Sequence, residues 1–217
     1  AAHNNLGNAF KDLGRLDDAI KSYKKVIALK PNLPEPYNNL GNAFKDLNQL
    51  DNAVKSYKNA IVIKPDFAEA HNNLGNAFKD LELLDNAVQS YEKAIDINKN
   101  FAEAYFNLGG VLKLLKQLDD SVKAYKNAIV IKPDFAEAHN NLGSCLTVLG
   151  RMDEANKCYE KVIIIKPDFA EAHNFLGFNF FSVGRIKEAA KFFESAININ
   201  SDYAEAHRNL GNVFKKL

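Results

Sequence analysis

Residues 64–81 read KPDFAEAHNNLGNAFKDL, and near copies of this stretch recur along the chain. KPDFAEAHNNLGSCL occupies residues 132–146, and KPDFAEAHNFLGF occupies residues 166–178. A glycine preceded by a leucine returns at a fixed interval, at Gly7, Gly41, Gly75, Gly109, Gly143, Gly177 and Gly211. A large apolar residue follows three places later, at Phe10, Phe44, Phe78, Leu112, Leu146, Phe180 and Phe214. Such a period is the signature of stacked structural repeats.

Each repeat contains two amphipathic helical stretches. Leu40, Phe44 and Leu47 are spaced four and three apart, so they share one face of a first helix. The apolar face of the second helix in the same repeat consists of Leu50, Ala53, Val54, Tyr57, Ala60 and Ile61. Because one helix pair cannot cover its own apolar faces, stacking of neighbouring pairs is required. We therefore predict an all-α solenoid of stacked antiparallel helix pairs.

The residues between the stretches predict where the helices begin and end. A left-handed residue is expected after each first helix, at Gly14, Asn48, Glu82, Lys116, Gly150 and Gly184. Aspartates that favour the N-cap precede the second helices, at Asp17, Asp51, Asp85, Asp119 and Asp153. Proline ends four of the second helices, at Pro31, Pro65, Pro133 and Pro167.

The predicted domain organisation is a single array over residues 1–217. Its units are residues 1–33, 34–67, 68–101, 102–135, 136–169 and 170–203, followed by a final single helix over residues 204–217. That last helix would leave Leu210, Phe214 and Leu217 without a covering partner. We therefore expect the array to continue into a longer protein or to pair with a second copy.

Composition excludes several classes of partner. The chain has 28 Lys and Arg against 27 Asp and Glu, a formal charge of +1, so nothing favours nucleic acid. No apolar stretch is long enough to predict a membrane span. Cys145 and Cys158 are too few for a disulfide framework. Two buried thiols fit a reducing compartment, which favours a cytoplasmic location.

The repeat resembles the tetratricopeptide repeat (TPR) family over essentially the whole chain. The matching residues of one unit are Tyr37, Leu40, Gly41, Phe44, Ala53, Tyr57, Ala60 and Pro65. The resemblance implies a right-handed superhelix in which the first helix of each pair lines an inner groove. It also implies that the partner, a protein or an extended peptide, binds in that groove.

A row of asparagines follows the predicted groove. They stand two before the repeat glycine, at Asn5, Asn39, Asn73, Asn107, Asn141 and Asn209, with companions one after it at Asn8, Asn42 and Asn76. An asparagine amide offers a donor and an acceptor, as a peptide backbone does, so such a ladder could hold an extended chain. The alternative is that repeat duplication copied solvated amides that bind nothing.

The ladder looks like the one in the TPR arm of the O-linked N-acetylglucosamine transferases, where groove asparagines hold the substrate backbone. By that likeness the six asparagines before the glycines are the binding residues. Another TPR subclass clamps a terminal carboxylate with basic residues. Here the place three before the glycine is basic only at Arg208, so carboxylate capture is not expected.

The sixth unit departs from this pattern. Phe175 and Phe178 stand where other units carry asparagine, so we expect them to be aromatic anchors for a partner. The alternative is that the two rings pack within the array.

No catalytic constellation is present in the sequence. The five histidines, His3, His71, His139, His173 and His207, are one repeat or more apart and exchange with tyrosine, which indicates packing rather than metal binding. We expect a binding scaffold that is not itself an enzyme and needs no cofactor or metal. Two alternatives remain open: a substrate-recruiting arm of a larger enzyme such as a glycosyltransferase, and a self-assembling structural module.

Overall fold

The computed structural model describes residues 2–216, except the side chain of Ala2. The predicted exposure of Leu217 falls outside these residues. Within the described residues, seven first helices alternate with six second helices. The first helices are α1 (Ala2–Asp12), α3 (Pro34–Asp46), α5 (Ala68–Asp80), α7 (Ala102–Leu114), α9 (Ala136–Val148), α11 (Ala170–Ser182) and α13 (Ala204–Phe214). The second helices are α2 (Leu16–Leu29), α4 (Leu50–Ile63), α6 (Leu84–Ile97), α8 (Leu118–Ile131), α10 (Met152–Ile165) and α12 (Ile186–Ile199).

The helices divide into two compact units. The first extends to Val111 and the second begins at Leu112, within α7. Over residues 2–216 every regular element is a helix, so the all-α helical-repeat class is confirmed. A single continuous array with the six predicted units stays a prediction.

The core of each repeat depends on a close approach between its two helices. A side chain on Gly41 would lie 2.5 Å from the ring of Tyr57, which is fully buried. Because glycine has no Cβ, α3 and α4 can approach across the tyrosine ring. Between the first and second repeats the buried cluster is Ala19, Ile20, Tyr23, Leu40 and Ala43. That cluster joins α2 to α3, which is how one repeat stacks on the next.

The predicted helix ends are confirmed. All six turn residues have positive φ, from 57° at Asn48 to 80° at Gly184, including the non-glycine residues Glu82 and Lys116. The four second helices that precede proline end two residues before it, for example at Ile63 before Pro65.

The prediction of aspartate N-caps is wrong. Asp17 is the second residue of α2, and the N-cap residue is Arg15, which makes no side-chain capping bond. The other four predicted aspartates are also the second residues of their helices. The N-cap residues of those helices are Gln49, Leu83, Gln117 and Arg151. Only one residue separates the left-handed residue from the second helix, and that residue is the N-cap. The aspartates stabilise the first turn through the helix dipole instead.

The helices are short. The longest have 14 residues, and within residues 2–216 none is long and apolar enough to cross a membrane. In α13, Phe214 is exposed and Gly211 faces open space, as expected for a first helix without a second helix beside it.

Candidate functional site

The predicted binding residues lie on one face of the first helices, which we call the polar face. It consists of the residues six and two before the repeat glycine and one and five after it. At 100° per residue these places are nearly opposite the buried leucine before the glycine. In α3 they are Glu35, Asn39, Asn42 and Asp46.

In the first unit, each ladder asparagine after Asn5 is hydrogen-bonded to the preceding repeat. The Nδ2 of Asn73 donates to the Oδ1 of Asn38 at 3.0 Å. The Nδ2 of Asn107 donates to the Oδ1 of Asn72 at the same distance. The acceptors stand three before the glycine and are buried. The ladder therefore contributes to repeat stacking, a role that was not predicted from the sequence.

The first ladder bond differs from the others. The Nδ2 of Asn39 lies 3.4 Å from the Oδ1 of Asn4 and 3.3 Å from that of Asn8. Asn39 therefore donates toward two amides of α1 at once. Asn5, the ladder residue of α1, is exposed, and its side chain makes no hydrogen bond within residues 2–216.

The stacking bonds leave part of each amide unused. The Oδ1 atoms of Asn39, Asn73 and Asn107 accept no hydrogen bond within residues 2–216, and they are not buried. Asn73 and Asn107 also keep one amide hydrogen each. A row of carbonyl oxygens, one per repeat, therefore reaches solvent along the first unit.

The companion asparagines have structural partners. The hydroxyl groups of Tyr23, Tyr57 and Tyr91 donate to the Oδ1 of Asn8, Asn42 and Asn76, at 2.7, 2.7 and 2.8 Å. Burial, with a smaller contribution from the nearby carboxylates, raises the pKa of Tyr23 to about 12. The phenol thus stays protonated and keeps donating. These three amides orient the second helix of their own repeat.

Carboxylates and lysines form ion pairs between successive repeats of the first unit. Lys11 lies 3.6 Å from Asp46, and Lys45 lies 3.7 Å from Asp80. The side chains are about one-third to one-half exposed, so each pair contributes at most about 1 kcal/mol. The C-terminal edge of the polar face in this unit is therefore charged and partly neutralised.

The ladder is less regular in the second unit. Asn209 is buried, and its Nδ2 donates to the Oδ1 of Asn174 at 3.0 Å. Burial raises the pKa of Tyr125, and the nearby amide of Asn141 offsets part of that rise. Asn209 is therefore not available to a partner in the way that Asn73 is.

The two predicted aromatic anchors have different environments. Phe175 is half-buried and stacks on Tyr159, with 5.5 Å between ring centroids, which agrees with packing inside the array. Phe178 is 44% exposed. Phe181, one turn later, lies under the ammonium of Lys216 at 4.6 Å. Of the two anchors, Phe178 is the one whose ring faces solvent.

The replacement of asparagine by Phe175 leaves a buried acceptor without a donor. Asn38, Asn72 and Asn174 stand three before the repeat glycine. The Oδ1 of each accepts a hydrogen bond from the ladder asparagine of the next repeat. Asn140 is 5% exposed, and its Oδ1 has no hydrogen-bond partner within residues 2–216. Its Nδ2 lies 3.4 Å from the Oε2 of Glu171.

A polar pair of one buried and one half-buried asparagine joins the fifth and sixth repeats, and it was not predicted from the sequence. The Nδ2 of Asn179, 1% exposed, donates to the Oδ1 of Asn156 at 2.8 Å. In the first two repeats the matching places hold Ile20 and Ala43, which belong to one apolar cluster. The sequence did carry a signal for this pair. Both places hold apolar residues in the other repeats, and here both hold asparagine.

The histidines act as hydrogen-bond donors. The Nε2 atoms of His71, His139 and His173 lie 2.9 to 3.1 Å from the carbonyl oxygens of the prolines six residues earlier. Because a carbonyl only accepts, Nε2 must carry the hydrogen. Each bond fastens a first helix to the loop before it. No group of three metal-ligating side chains occurs in residues 2–216.

The cysteines are free thiols. Cys145 is buried, with its Sγ 3.4 Å from the Oγ of Ser121, and Cys158 is half-buried. Burial raises the pKa of the Cys158 thiol to about 11, so little thiolate forms at neutral pH.

Solved structures share this architecture. YrrB, a TPR protein with an unusual peptide-binding site, is 26% identical over 90% of this chain and 98% of its own, with a TM-score of 0.74. MamA is 28% identical over 76% of this chain and 97% of its own, with a TM-score of 0.72. PilF of Pseudomonas aeruginosa is 15% identical over 97% of this chain and 96% of its own, with a TM-score of 0.85, which is a likeness of fold alone. No curated protein sequence matches the chain.

Family models give the same assignment from the sequence. The TPR repeat model matches residues 7–47, 41–82, 75–116, 111–146 and 177–217. The tetratricopeptide repeat model matches residues 136–169. Together these matches extend over nearly the whole chain, and the chain therefore belongs to the tetratricopeptide repeat family.

Proposed function

We propose that this chain is a protein-interaction scaffold that binds an extended peptide segment along the polar face of its first unit. The observation that carries the proposal is the row of unused carbonyl oxygens on Asn39, Asn73 and Asn107. Each can accept a hydrogen bond from a peptide N–H, and Asn73 and Asn107 can also donate one. The peptide-binding site of the similar protein YrrB supports the same class of function.

The stacking bonds strengthen this proposal. An amide that is fixed by its neighbour loses little side-chain entropy when a ligand binds, so more of the hydrogen-bond energy remains as affinity. Three amides at about 0.5–1.5 kcal/mol each would contribute about 1.5–4.5 kcal/mol. That range corresponds to roughly tenfold to a thousandfold in affinity.

The test is a selection from a displayed library of random 12-residue peptides, followed by calorimetry on the peptides recovered. The binding variant combines Asn39→Ala, Asn73→Ala and Asn107→Ala. The matched control combines Asn38→Ala and Asn72→Ala, which removes the inter-repeat bonds of Asn73 and Asn107 from the buried side and keeps the exposed amides.

We expect the binding variant to lose at least about tenfold in affinity and the control to lose much less. Equal losses in the two variants would mean that the ladder acts through stacking alone. Recovery of no peptide by the intact chain would reject the proposal.

A further inference from the structure

A groove lies between the second helices of the first two repeats. It is bounded by α2 and α4, and residues of α3 form its base. The groove has a volume of about 360 Å³, and its apolar lining includes Ile27, Tyr37, Leu40 and Phe44. The three lining residues of α3 lie nearly opposite the ladder asparagine of that helix. The groove is therefore separate from the polar face, and we call it the lysine groove after the two lysines described below.

The base of the lysine groove belongs to the core. Leu40 is 7% exposed and is part of the buried cluster between the first two repeats. Ile27 and Phe44 are half-buried and pack against that cluster. Because core packing holds these side chains, the groove is formed before a ligand binds. Its volume is near the lower limit for ligand pockets, about 300 Å³, which suits one large apolar side chain.

Two lysines without an ion-pair partner stand on opposite walls of the groove. Lys24 of α2 and Lys55 of α4 line it, and neither forms an ion pair within residues 2–216. The ammonium of Lys24 lies over the ring of Phe44, 5.7 Å from its centroid. The described residues that line the groove include no carboxylate. The groove therefore combines an apolar base with positive charge on its walls.

Another junction of the array shows which charge is missing. Lys126 and Glu154 form an ion pair of 3.7 Å between α8 and α10. They stand three repeats after Lys24 and Asn52, at the same places of the repeat. Asn52 carries no charge, and its Nδ2 donates to the Oε1 of Gln49 at 3.0 Å. Lys24 therefore lacks the carboxylate that Lys126 has.

This combination of charges occurs once in the repeat sequence. Only between the first and second repeats are both wall places lysine while the place of Asn52 is uncharged. At the later junctions Gln89 replaces one lysine, Glu92 or Glu160 replaces the other, or Glu154 supplies a carboxylate. The exposed lysines of the other second helices therefore do not form an equivalent site.

We infer that the lysine groove binds an acidic peptide segment that carries one aromatic side chain. The ring packs on Tyr37, Leu40 and Phe44, where it buries apolar surface. Carboxylates of the segment pair with Lys24 and Lys55 and supply the missing charge. A groove lined by one sign of charge also attracts a segment of opposite charge from a distance. Because the site lies on the other side of α3 from the polar face, this interaction goes beyond the proposed function.

The test uses the peptide DEDFDED, blocked at its C-terminus and labelled with a fluorophore at its N-terminus, in a fluorescence anisotropy assay. The peptide DEDADED removes the ring, and NQNFNQN removes the charges with little change of shape. We expect DEDFDED to bind about tenfold more tightly than either of the others. Added salt should weaken the binding of DEDFDED and leave that of NQNFNQN unchanged.

The array itself supplies variants of the walls. Lys24→Glu with Lys55→Gln installs the residues that the third repeat carries at these exposed places, Glu92 and Gln89, so folding is not at risk. We expect this variant to bind DEDFDED about tenfold more weakly.

A single substitution tests the missing charge. Asn52→Glu keeps both lysines and supplies the carboxylate that Lys24 lacks, so it should weaken the binding of DEDFDED about threefold. The control combines Lys157→Gln with Lys161→Glu, two exposed places of α10. It makes the same change of net charge as the wall variant and should bind as the wild type does.

Phe44→Leu tests where the ring binds. It installs the residue that Leu112 and Leu146 provide at this place, so the base stays apolar. The preference for DEDFDED over DEDADED should fall from about tenfold to about threefold, because a contact between aromatic rings is lost.

Equal binding of the three peptides would overturn the inference, and so would equal affinity of the wall variant and the wild type. Self-association of the chain that the wall variant abolishes would assign the groove to a second copy and would also overturn it. The variant of Asn39, Asn73 and Asn107 should bind DEDFDED with wild-type affinity. If that variant loses the peptide, the segment lies on the polar face, and the inference fails while the proposed function stands.

Discussion

The hydrogen-bonded pair of Asn156 and Asn179 gives the most decisive prediction of stability. Asn179→Ala removes the 2.8 Å hydrogen bond and leaves the half-buried amide of Asn156 without its donor. Loss of one partner of a buried hydrogen bond costs about 1–3 kcal/mol, so we expect about 2 kcal/mol of destabilisation. Asn156→Val should cost a similar amount, because it leaves the amide of Asn179 with only Thr147 at 3.4 Å.

The double variant should be close to the wild type in stability. It installs valine and alanine where the second and third repeats have Val54 and Ala77, an apolar contact with no polar group left over. The sum of the two single losses is about 4 kcal/mol, so a double variant within about 1 kcal/mol of the wild type gives a coupling energy of about 3–4 kcal/mol.

Urea unfolding followed by far-ultraviolet circular dichroism measures these values, with equal m-values required for the comparison. At about 2–4 °C per kcal/mol for a chain of this length, each single variant should lower Tm by about 4–8 °C. If the two losses add in the double variant, the amides are not coupled and the reasoning is refuted.

Two further predictions concern the glycines and the histidines. Gly41→Ala should destabilise by about 1–3 kcal/mol, because the new Cβ would lie 2.5 Å from the ring of Tyr57. The Cβ of Gly211→Ala would meet no atom within 4 Å, and the substitution should stabilise α13 by about 0.5–1 kcal/mol. Urea unfolding measures both variants, and a change in the free energy of unfolding with the same sign in both would contradict this account. Burial lowers the pKa of His139 from 6.5, so its stabilising contribution is complete above pH 6.5 and is lost as the pH falls through the folded-state pKa. His139→Tyr, which installs the tyrosine that two other repeats carry at this place, should reduce the fall in Tm between pH 7.5 and pH 5.5, and an unchanged fall would exclude this histidine as its source.

The C-terminal ends of the helices were predictable from the sequence because they follow local rules. A residue after a first helix is left-handed whether it is Gly14 or Lys116, since the repeat imposes one backbone on every copy. The prediction of aspartate N-caps was wrong for a local reason as well. Only Arg15 separates the left-handed turn from α2, so Asp17 already lies within the helix.

The candidate site was predictable in part. The sequence placed the ladder asparagines on one helix face, since that depends only on helical periodicity. It could not show that Asn73 is bound to Asn38, because the two are 35 residues apart and meet only when repeats stack. It also could not distinguish Phe175, which packs on Tyr159, from Phe178, which faces solvent.

By itself, the sequence determined the repeat, the all-α class, the helix ends and the face that carries the amides. All of these follow from spacing along one helix or from the conformational limits of single residues. The tertiary structure decided which half of each ladder amide is free, that Asn156 pairs with Asn179, and that Lys24 and Lys55 line one groove. Those outcomes depend on which side chains face each other across the interface between successive helices, and that interface forms only when the repeats pack.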